Sequence, residues 1–253
     1  MKKLYLITAL LGTFILAAAP PTFRPKIQVK KVSNFTMENG IDHPAWNETS
    51  GHEFRVLVYN HQNMYRRPTE PATVKYLYDD KNFYVLADMV DSDVMTTGTE
   101  SGSHFYLQGD LLEIFIKPAN ANYYWEIYGT PNKLNTRFYF GSRSAVGLPS
   151  GFKHKDVDIK VAVKIDGTFN NPLDRDKSCK ILVAIPLAEL NRPHLTKENP
   201  AGTVPFAPGV EWRVLAARYN YSRHLSGLEL SSFPQIYGGY HTLEYFAEME
   251  LLK

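Results

Sequence analysis

The chain has 253 residues, of which 44% are hydrophobic and 21% are charged, so its composition is that of a globular protein and not of a disordered one. Its formal net charge is +2, from 28 Lys and Arg against 26 Asp and Glu. This near balance provides no strong positive field, which argues against nucleic acid or anionic lipid as a partner.

The first 19 residues have the pattern of a secretory signal peptide. Lys2 and Lys3 form a basic start, residues 4–16 form an apolar stretch, and three alanines then offer a cleavage site. The apolar stretch is shorter than the roughly 20 residues that span a bilayer, and no cysteine follows the alanines. We therefore expect export without a membrane anchor, to the periplasm or the extracellular medium of a bacterium.

Alternating apolar and polar residues predict short β-strands along the rest of the chain. The clearest case is a hairpin, with strands at Ala72–Tyr78 and Phe83–Val90 joined by a turn at Asp79–Asn82. Further strands are predicted at Lys26–Val32, Arg55–Tyr59, Leu111–Lys117, Tyr123–Tyr128, Arg137–Phe140, Asp156–Ile165, Lys180–Pro186, Trp212–Tyr219 and Ala247–Leu252.

One short helix at Leu187–Arg192 and one long loop at Asn199–Gly209 interrupt the strands. The pattern predicts an all-β fold, a two-sheet antiparallel β-sandwich of jelly-roll or immunoglobulin-like type with long loops. No repeat or linker divides it, so residues 20–253 are expected to form a single domain. Cys179 is the only cysteine, which excludes an internal disulfide.

Aromatic side chains beside turns are the first indication of a binding site. Sugar sites stack flat rings on the C–H face of a pyranose and fix its hydroxyls with carboxylates, amides or guanidiniums. The tract Ser232–His241 is predicted as a flexible loop that carries Phe233, Tyr237 and Tyr240, because an aromatic beside Gly238–Gly239 is not expected on a regular strand face. The alternative is that these are core aromatics, the tyrosines with satisfied hydroxyls.

Phrases along residues 40–252 resemble, in order and spacing, the family 9 carbohydrate-binding modules and their DOMON-like relatives. The phrases are Gly40–Trp46, Ala72–Lys75 with Tyr78–Val85, Gly109–Ile116, Asp166–Asp176 with Ala184–Pro186, and Tyr240–Phe246. The resemblance implies a jelly-roll-like sandwich whose loops clamp the end of a glycan between two aromatics. It also implies a non-catalytic role in polysaccharide degradation, on plant-type glycans and beside secreted glycoside hydrolases.

Carried over by position, the resemblance assigns the sugar-binding carboxylate to Glu113 and the closing-loop aromatic to Tyr240. Leu107 stands where the family carries the second aromatic, a Trp, and Phe105 or Tyr106 could substitute. The next strand also departs from the family pattern, since it carries Glu126 and Tyr128 where sugar-binding members carry Arg and Asn. The candidate carbohydrate contacts are Glu113, Tyr240, Tyr106, Phe105, Glu126, Tyr128 and Tyr237.

Metal and catalytic sites have weaker support in the sequence. Asp174 and Asp176, or Asp91 and Asp93, offer hard oxygen ligands for a structural calcium, and the alternative is that they cap polar turns. We expect no other cofactor. No nucleophile elbow, zinc-binding helix motif or Gly-rich phosphate loop is present, so the sequence predicts no enzyme.

Two alternatives to sugar binding stay open within the same fold group. Some DOMON-like sandwiches bind haem b, and Met89, Met95, His104 and His241 could act as its axial ligands. The other alternative is a structural domain that keeps the fold without sugar affinity, which the departure at Leu107 favours.

Overall fold

The computed structural model describes residues 24–58, 65–143, 158–191 and 204–253. The predicted signal peptide at residues 1–19 lies outside these ranges. So do the end of the strand predicted at Arg55–Tyr59, the start of the one at Asp156–Ile165 and the first part of the loop at Asn199–Gly209.

Within these ranges the protein is built from β-strands, which confirms the all-β class. The strands are β1 (Lys26–Lys31), β2 (His52–Glu53), β3 (Arg55–Val56), β4 (Ala72–Tyr78), β5 (Asn82–Val90), β6 (Leu111–Pro118), β7 (Tyr124–Gly129), β8 (Asn135–Phe140), β9 (Lys160–Asp166), β10 (Ser178–Pro186), β11 (Trp212–Asn220), β12 (Glu229–Phe233) and β13 (Ala247–Leu251). Helical turns are short: α1 (Leu187–Leu190) and 3-10 turns at Gly40–Asp42, Pro44–Glu48, Phe105–Leu107 and Leu243–Tyr245.

The strands form one hydrogen-bonded path, in the order β8-β7-β6-β11-β13-β1-β4-β5-β10-β9. β1 joins the two halves of this path. Its residues Lys26–Val29 pair with β13, and Lys30 and Lys31 pair with β4, in both cases in parallel. The prediction of two separate antiparallel sheets is therefore not confirmed, because one strand changes partner midway and lets a twisted sheet curl towards a barrel.

The main core lies between the two halves of the path. Alternate residues of β6, β7 and β11 meet those of β4, β5 and β10, and the rings of Trp125 and Trp212 stack with centroids 5.9 Å apart at its centre. Gly129 allows the halves to approach closely, because a Cβ there would lie 2.7 Å from the Val183 side chain. The opposite side of β6, β7, β8 and β11, here named the outer face, is covered by residues 104–107 and 240–246.

Two strands were missed from the sequence, the two-residue β2 and the longer β12. Ser232 and Phe233, predicted as loop, end β12, which pairs with β11 and β3. Serine rarely indicates a strand, but Ser231 and Ser232 are buried here. The Ser232 hydroxyl donates to the carbonyl of Pro234 at 2.8 Å, which satisfies it inside the sheet.

Candidate functional site

Strand register brings three of the predicted sugar contacts together on the outer face. Glu113 of β6 lies opposite Tyr128 of β7, and Phe115 lies opposite Glu126. Because side chains alternate along a strand, all four point away from the main core. The Tyr128 hydroxyl donates to a carboxylate oxygen of Glu126, so the two side chains act as one hydrogen-bonded unit.

Glu113 and Glu126 form a buried carboxyl pair, exposed to only 3% and 5%. Burial raises the pKa of Glu113 well above its ordinary value, and the charge of Glu126 and a hydrogen bond with it raise that pKa further. The pair therefore retains a proton. Burial, together with both glutamates, also raises the pKa of Tyr128.

One oxygen of this carboxyl pair lacks a hydrogen-bond partner. Among the described residues, Glu113 Oε2 is fully buried and has no hydrogen-bond partner. Leaving such an oxygen unpaired costs about 1–3 kcal/mol, and in native proteins it is usually satisfied by water or a ligand. Glu113, to which the resemblance assigns the sugar-binding carboxylate, thus has spare hydrogen-bonding capacity.

His241 sits above the pair at the surface. Its Nε2 lies 3.6 Å from Glu126 Oε2, its Nδ1 lies 2.8 Å from the Tyr124 hydroxyl, and its side chain is 33% exposed. Burial lowers the pKa of His241, although Glu126 acts in the opposite direction. His241 was a candidate only as a haem ligand, and its place directly after Tyr240 in the closing segment was the signal that could have identified it.

The predicted aromatic contacts differ in exposure. Tyr240 is 5% exposed, and its hydroxyl reaches the carbonyls of Ser231 and Arg218 at 3.3 and 3.4 Å, while Phe105 is fully buried. Both lie beneath the surface and offer no open ring. Tyr106 is half-buried instead, with its ring centroid 6.1 Å from that of Tyr219.

Two half-buried rings were missed as candidates. Phe140 stacks on Tyr124 at 4.7 Å and meets His241 edge-on at 5.4 Å, and Tyr219 meets Tyr240 at 5.6 Å. Their place on the outer face follows from the alternation of β8 and β11, which is visible in the sequence. Tyr237 packs elsewhere, on Tyr245, with centroids 5.3 Å apart.

Three of the four candidate calcium ligands are committed to protein partners. Asp91 pairs with Arg218 at 3.0 Å, and Asp93 accepts the backbone N–H of Arg223 at 3.0 Å. Asp176 accepts the N–H groups of Val94 and Thr168 at 2.7 and 2.6 Å, while Asp174 is exposed. No group of three or more His, Cys, Asp or Glu positioned for a metal occurs in the described part of the chain. Calcium stays a prediction.

The four haem candidates are divided between two sides of the β6–β8 layer. Met89 lies in the main core, whereas His241 is on the outer face and His104 stacks on the outer-face ring of Phe138 at 4.7 Å. Met95 is half-buried, and its backbone N–H donates to Asp110 at 2.7 Å.

The chain combines an all-β fold with an outer face of buried carboxyl groups and half-buried aromatic rings. The pattern of the family described as "Carbohydrate family 9 binding domain-like" matches residues 39–164, and the chain belongs to this family. Because the family consists of binding domains, this membership also supports the prediction of a non-catalytic protein. No curated protein matches the sequence.

Solved structures share the fold at low identity. A protein of Bacteroides uniformis ATCC 8492, provisionally described as carbohydrate-binding, is 12% identical with a TM-score of 0.69, over 91% of this chain and 100% of that one. A family 9 module from Caldicellulosiruptor kristjanssonii, solved with cellotriose, is 15% identical with a TM-score of 0.54, over 89% of this chain and 93% of that one. A family 9 module from the same organism, solved with glucose, is 14% identical with a TM-score of 0.53, over 90% of this chain and 95% of that one.

Within the described ranges, no helix is both long and apolar enough to cross a bilayer.

Proposed function

We propose that the protein binds carbohydrate on the outer face, without catalysis. The unpartnered, buried Oε2 of Glu113 carries this proposal, because it lies on the face where the family pattern has its sugar-binding carboxylate. Half-buried Tyr106, Tyr219 and Phe140 supply ring edges around it, and His241 supplies a polar group. Because Glu113 is itself buried, the side chains around it must shift before a sugar hydroxyl can satisfy the free oxygen, with the rings then packing on the C–H face.

The finer features of this function rest on the family resemblance. We infer a plant-type polysaccharide or oligosaccharide as the ligand, held near a chain end, and secreted glycoside hydrolases as partners in polysaccharide degradation. Export by the leader at residues 1–19 would deliver the protein to these substrates. The related modules with cellotriose and glucose support a neutral β-glucan as the first ligand to test.

The test is affinity electrophoresis of residues 20–253 in gels containing cellulose derivatives, xylan or mixed plant polysaccharides, followed by calorimetry with the matching oligosaccharide. Glu113→Leu is the variant, because an apolar replacement of a buried carboxyl keeps the volume and is tolerated by many cores. Glu250→Leu, at an exposed position, is the matched control. We expect retardation by one polysaccharide class, lost in Glu113→Leu and kept in Glu250→Leu.

Other results would reject the proposal. A folded, colourless protein that no polysaccharide retards would support the structural alternative. A Soret band after addition of haem, shifted by substitution of His241, would support the haem alternative. Full retardation of Glu113→Leu would place the sugar elsewhere on the protein.

A further inference from the structure

A cleft of about 600 Å³ lies beyond the end of the outer face. Four cationic side chains line it, together with the polar residues Asn120, Asn122 and Ser142 and the acid Glu244. The cations are Arg24, Lys117, Arg143 and Arg213. Glu211 is the other acid that acts on Lys117, so four positive charges face two negative ones, an excess of two.

Lys117 is the deepest of these cations. It is 5% exposed, and its Nζ donates to the carbonyls of Pro118 and Ala119 at 2.7 and 3.1 Å. Across the β6–β11 pair it lies directly opposite Arg213, and like charges in that position repel each other. Burial, with the charges of Arg213 and Arg24, lowers the pKa of Lys117 to about 8.

Glu244 and Glu211 do not accept hydrogen bonds from all the cationic donors of the cleft. Glu244 is engaged by Arg143 at 2.5 Å, and its carbonyl accepts from Arg24 Nε at 2.7 Å. Glu211 reaches Arg213 only at 3.5 Å. The buried Nε of Arg213 has no hydrogen-bond partner within the described ranges. The guanidinium of Arg213, whose side chain is 17% exposed, thus has an N–H to donate close to the Lys117 ammonium, and together the two groups suit an anionic oxygen.

The cleft is continuous with the proposed sugar site. Lys117 follows Phe115 by two residues on the same side of β6, and Phe115 meets His241 at 5.1 Å. The segment after His241 carries Glu244 into the cleft. One ligand of a few sugar units could therefore contact both.

We propose that this cleft binds the carboxylate of an acidic sugar, so that the protein prefers uronic-acid-containing oligosaccharides over neutral ones of the same length. The proposal rests on the proposed function for the neutral part of the ligand. The mixture of cations with amide and hydroxyl groups favours a sugar carboxylate over a free inorganic ion, because amides can bind the neighbouring sugar hydroxyls.

The experiment compares calorimetric affinities for trigalacturonate and for neutral cellotriose. The variant is Arg24→Gln/Arg143→Gln, since both side chains reach the surface and Lys117 stays in place. The control is Lys160→Gln/Lys164→Gln, which removes two exposed cations of β9, each also in a surface ion pair. It makes the same change in net charge far from the cleft.

The wild type is expected to bind the acidic trisaccharide roughly 10-fold more tightly than the neutral one at low salt, with the preference shrinking at high salt. The cleft variant should lose this preference and keep its affinity for cellotriose, while the β9 variant should keep both. Equal affinities for the two trisaccharides in the wild type, or a preference kept by the cleft variant, would overturn the inference. So would inorganic sulfate that competes as well as trigalacturonate does.

The two proposals fail in different ways. Cellotriose binding that depends on Glu113, without any preference for the acidic trisaccharide, leaves the proposed function intact and removes the inference. Trigalacturonate binding that depends on Arg24 and Arg143, without any cellotriose binding, supports the cationic cleft and removes the neutral site.

Discussion

Leu107 is the residue at which the outer face departs most clearly from the family pattern, and it is 72% exposed beside Tyr106. A Trp at this position would enter open space and add a stacking ring to the rim. We expect Leu107→Trp to tighten oligosaccharide binding roughly 2- to 10-fold, because one aromatic contact is worth about 0.5–1.5 kcal/mol. Calorimetry with the oligosaccharide identified by affinity electrophoresis measures this change.

Leu173→Trp is the matched control, since Leu173 is 92% exposed on a different loop. It adds the same indole to the surface away from the outer face and should leave the affinity unchanged. An equal gain in both variants would indicate nonspecific stacking, and no gain in Leu107→Trp would argue against this rim as the sugar site.

At the residue scale, the sequence predicts which face a side chain occupies better than it predicts exposure. The alternation of β7 correctly places Glu126 and Tyr128 on one side and Trp125 on the other. The pairing of Glu113 with Tyr128 depends on register between strands, which no single strand encodes. Tyr240 was expected in a flexible loop, but it packs beside Phe115 and Tyr219 and is buried.

At the element scale, α1 is held to the sheet by an ion pair inside the protein. Glu189 of α1 pairs with Arg137 of β8, the two side chains being 1% and 2% exposed, and Glu189 also accepts from Trp125 Nε1 at 3.2 Å. We expect Glu189→Gln to lower the free energy of unfolding by about 3–5 kcal/mol, because it leaves the Arg137 charge buried without a counter-charge. Urea unfolding followed by tryptophan fluorescence gives the value.

A double variant separates two effects on stability, the cost of leaving the Arg137 charge unbalanced and the contribution of the Arg137–Glu189 ion pair itself. Arg137→Met/Glu189→Leu removes both charges at similar volume and should be closer to wild type in stability than Glu189→Gln is. The exposed pair Lys164–Asp42 provides the comparison, since Lys164→Gln should cost less than about 1 kcal/mol. A double variant as unstable as the single one would contradict this account.

Elements with strong local signals were predicted well, and those that depend on long-range pairing were not. The hairpin of β4 and β5 follows from its own alternation and turn, and the structure confirms it. β12 was missed because its buried serines satisfy their hydroxyls only inside the sheet. β1 pairs with β13, 222 positions away at Lys26–Glu248, and with β4, 47 positions away at Lys30–Leu77, so periodicity within β1 carries no information about the switch between them.

At the scale of the whole molecule, the fold buries several carboxyl groups and raises their pKa values. Burial raises the pKa of Glu113, of Asp110 and of Asp91, with neighbouring carboxylates adding to the effect in each case. Above the ordinary value of about 4, these groups bind more protons in the folded protein than in the unfolded chain. The stability that they contribute therefore falls as the pH rises from there through the raised pKa values.

We expect Glu113→Gln to reduce this fall in the free energy of unfolding with rising pH. The amide cannot ionise, so the free energy of unfolding of the variant should rise relative to wild type as the pH increases from about 4 to about 8. Urea unfolding at several pH values in this range measures the difference between the two curves. Glu250→Gln, at an exposed position, should run parallel to wild type. A gap between Glu113→Gln and wild type that is constant with pH would show that folding does not shift the pKa of Glu113, and the proton-sharing account of the outer face would then be wrong.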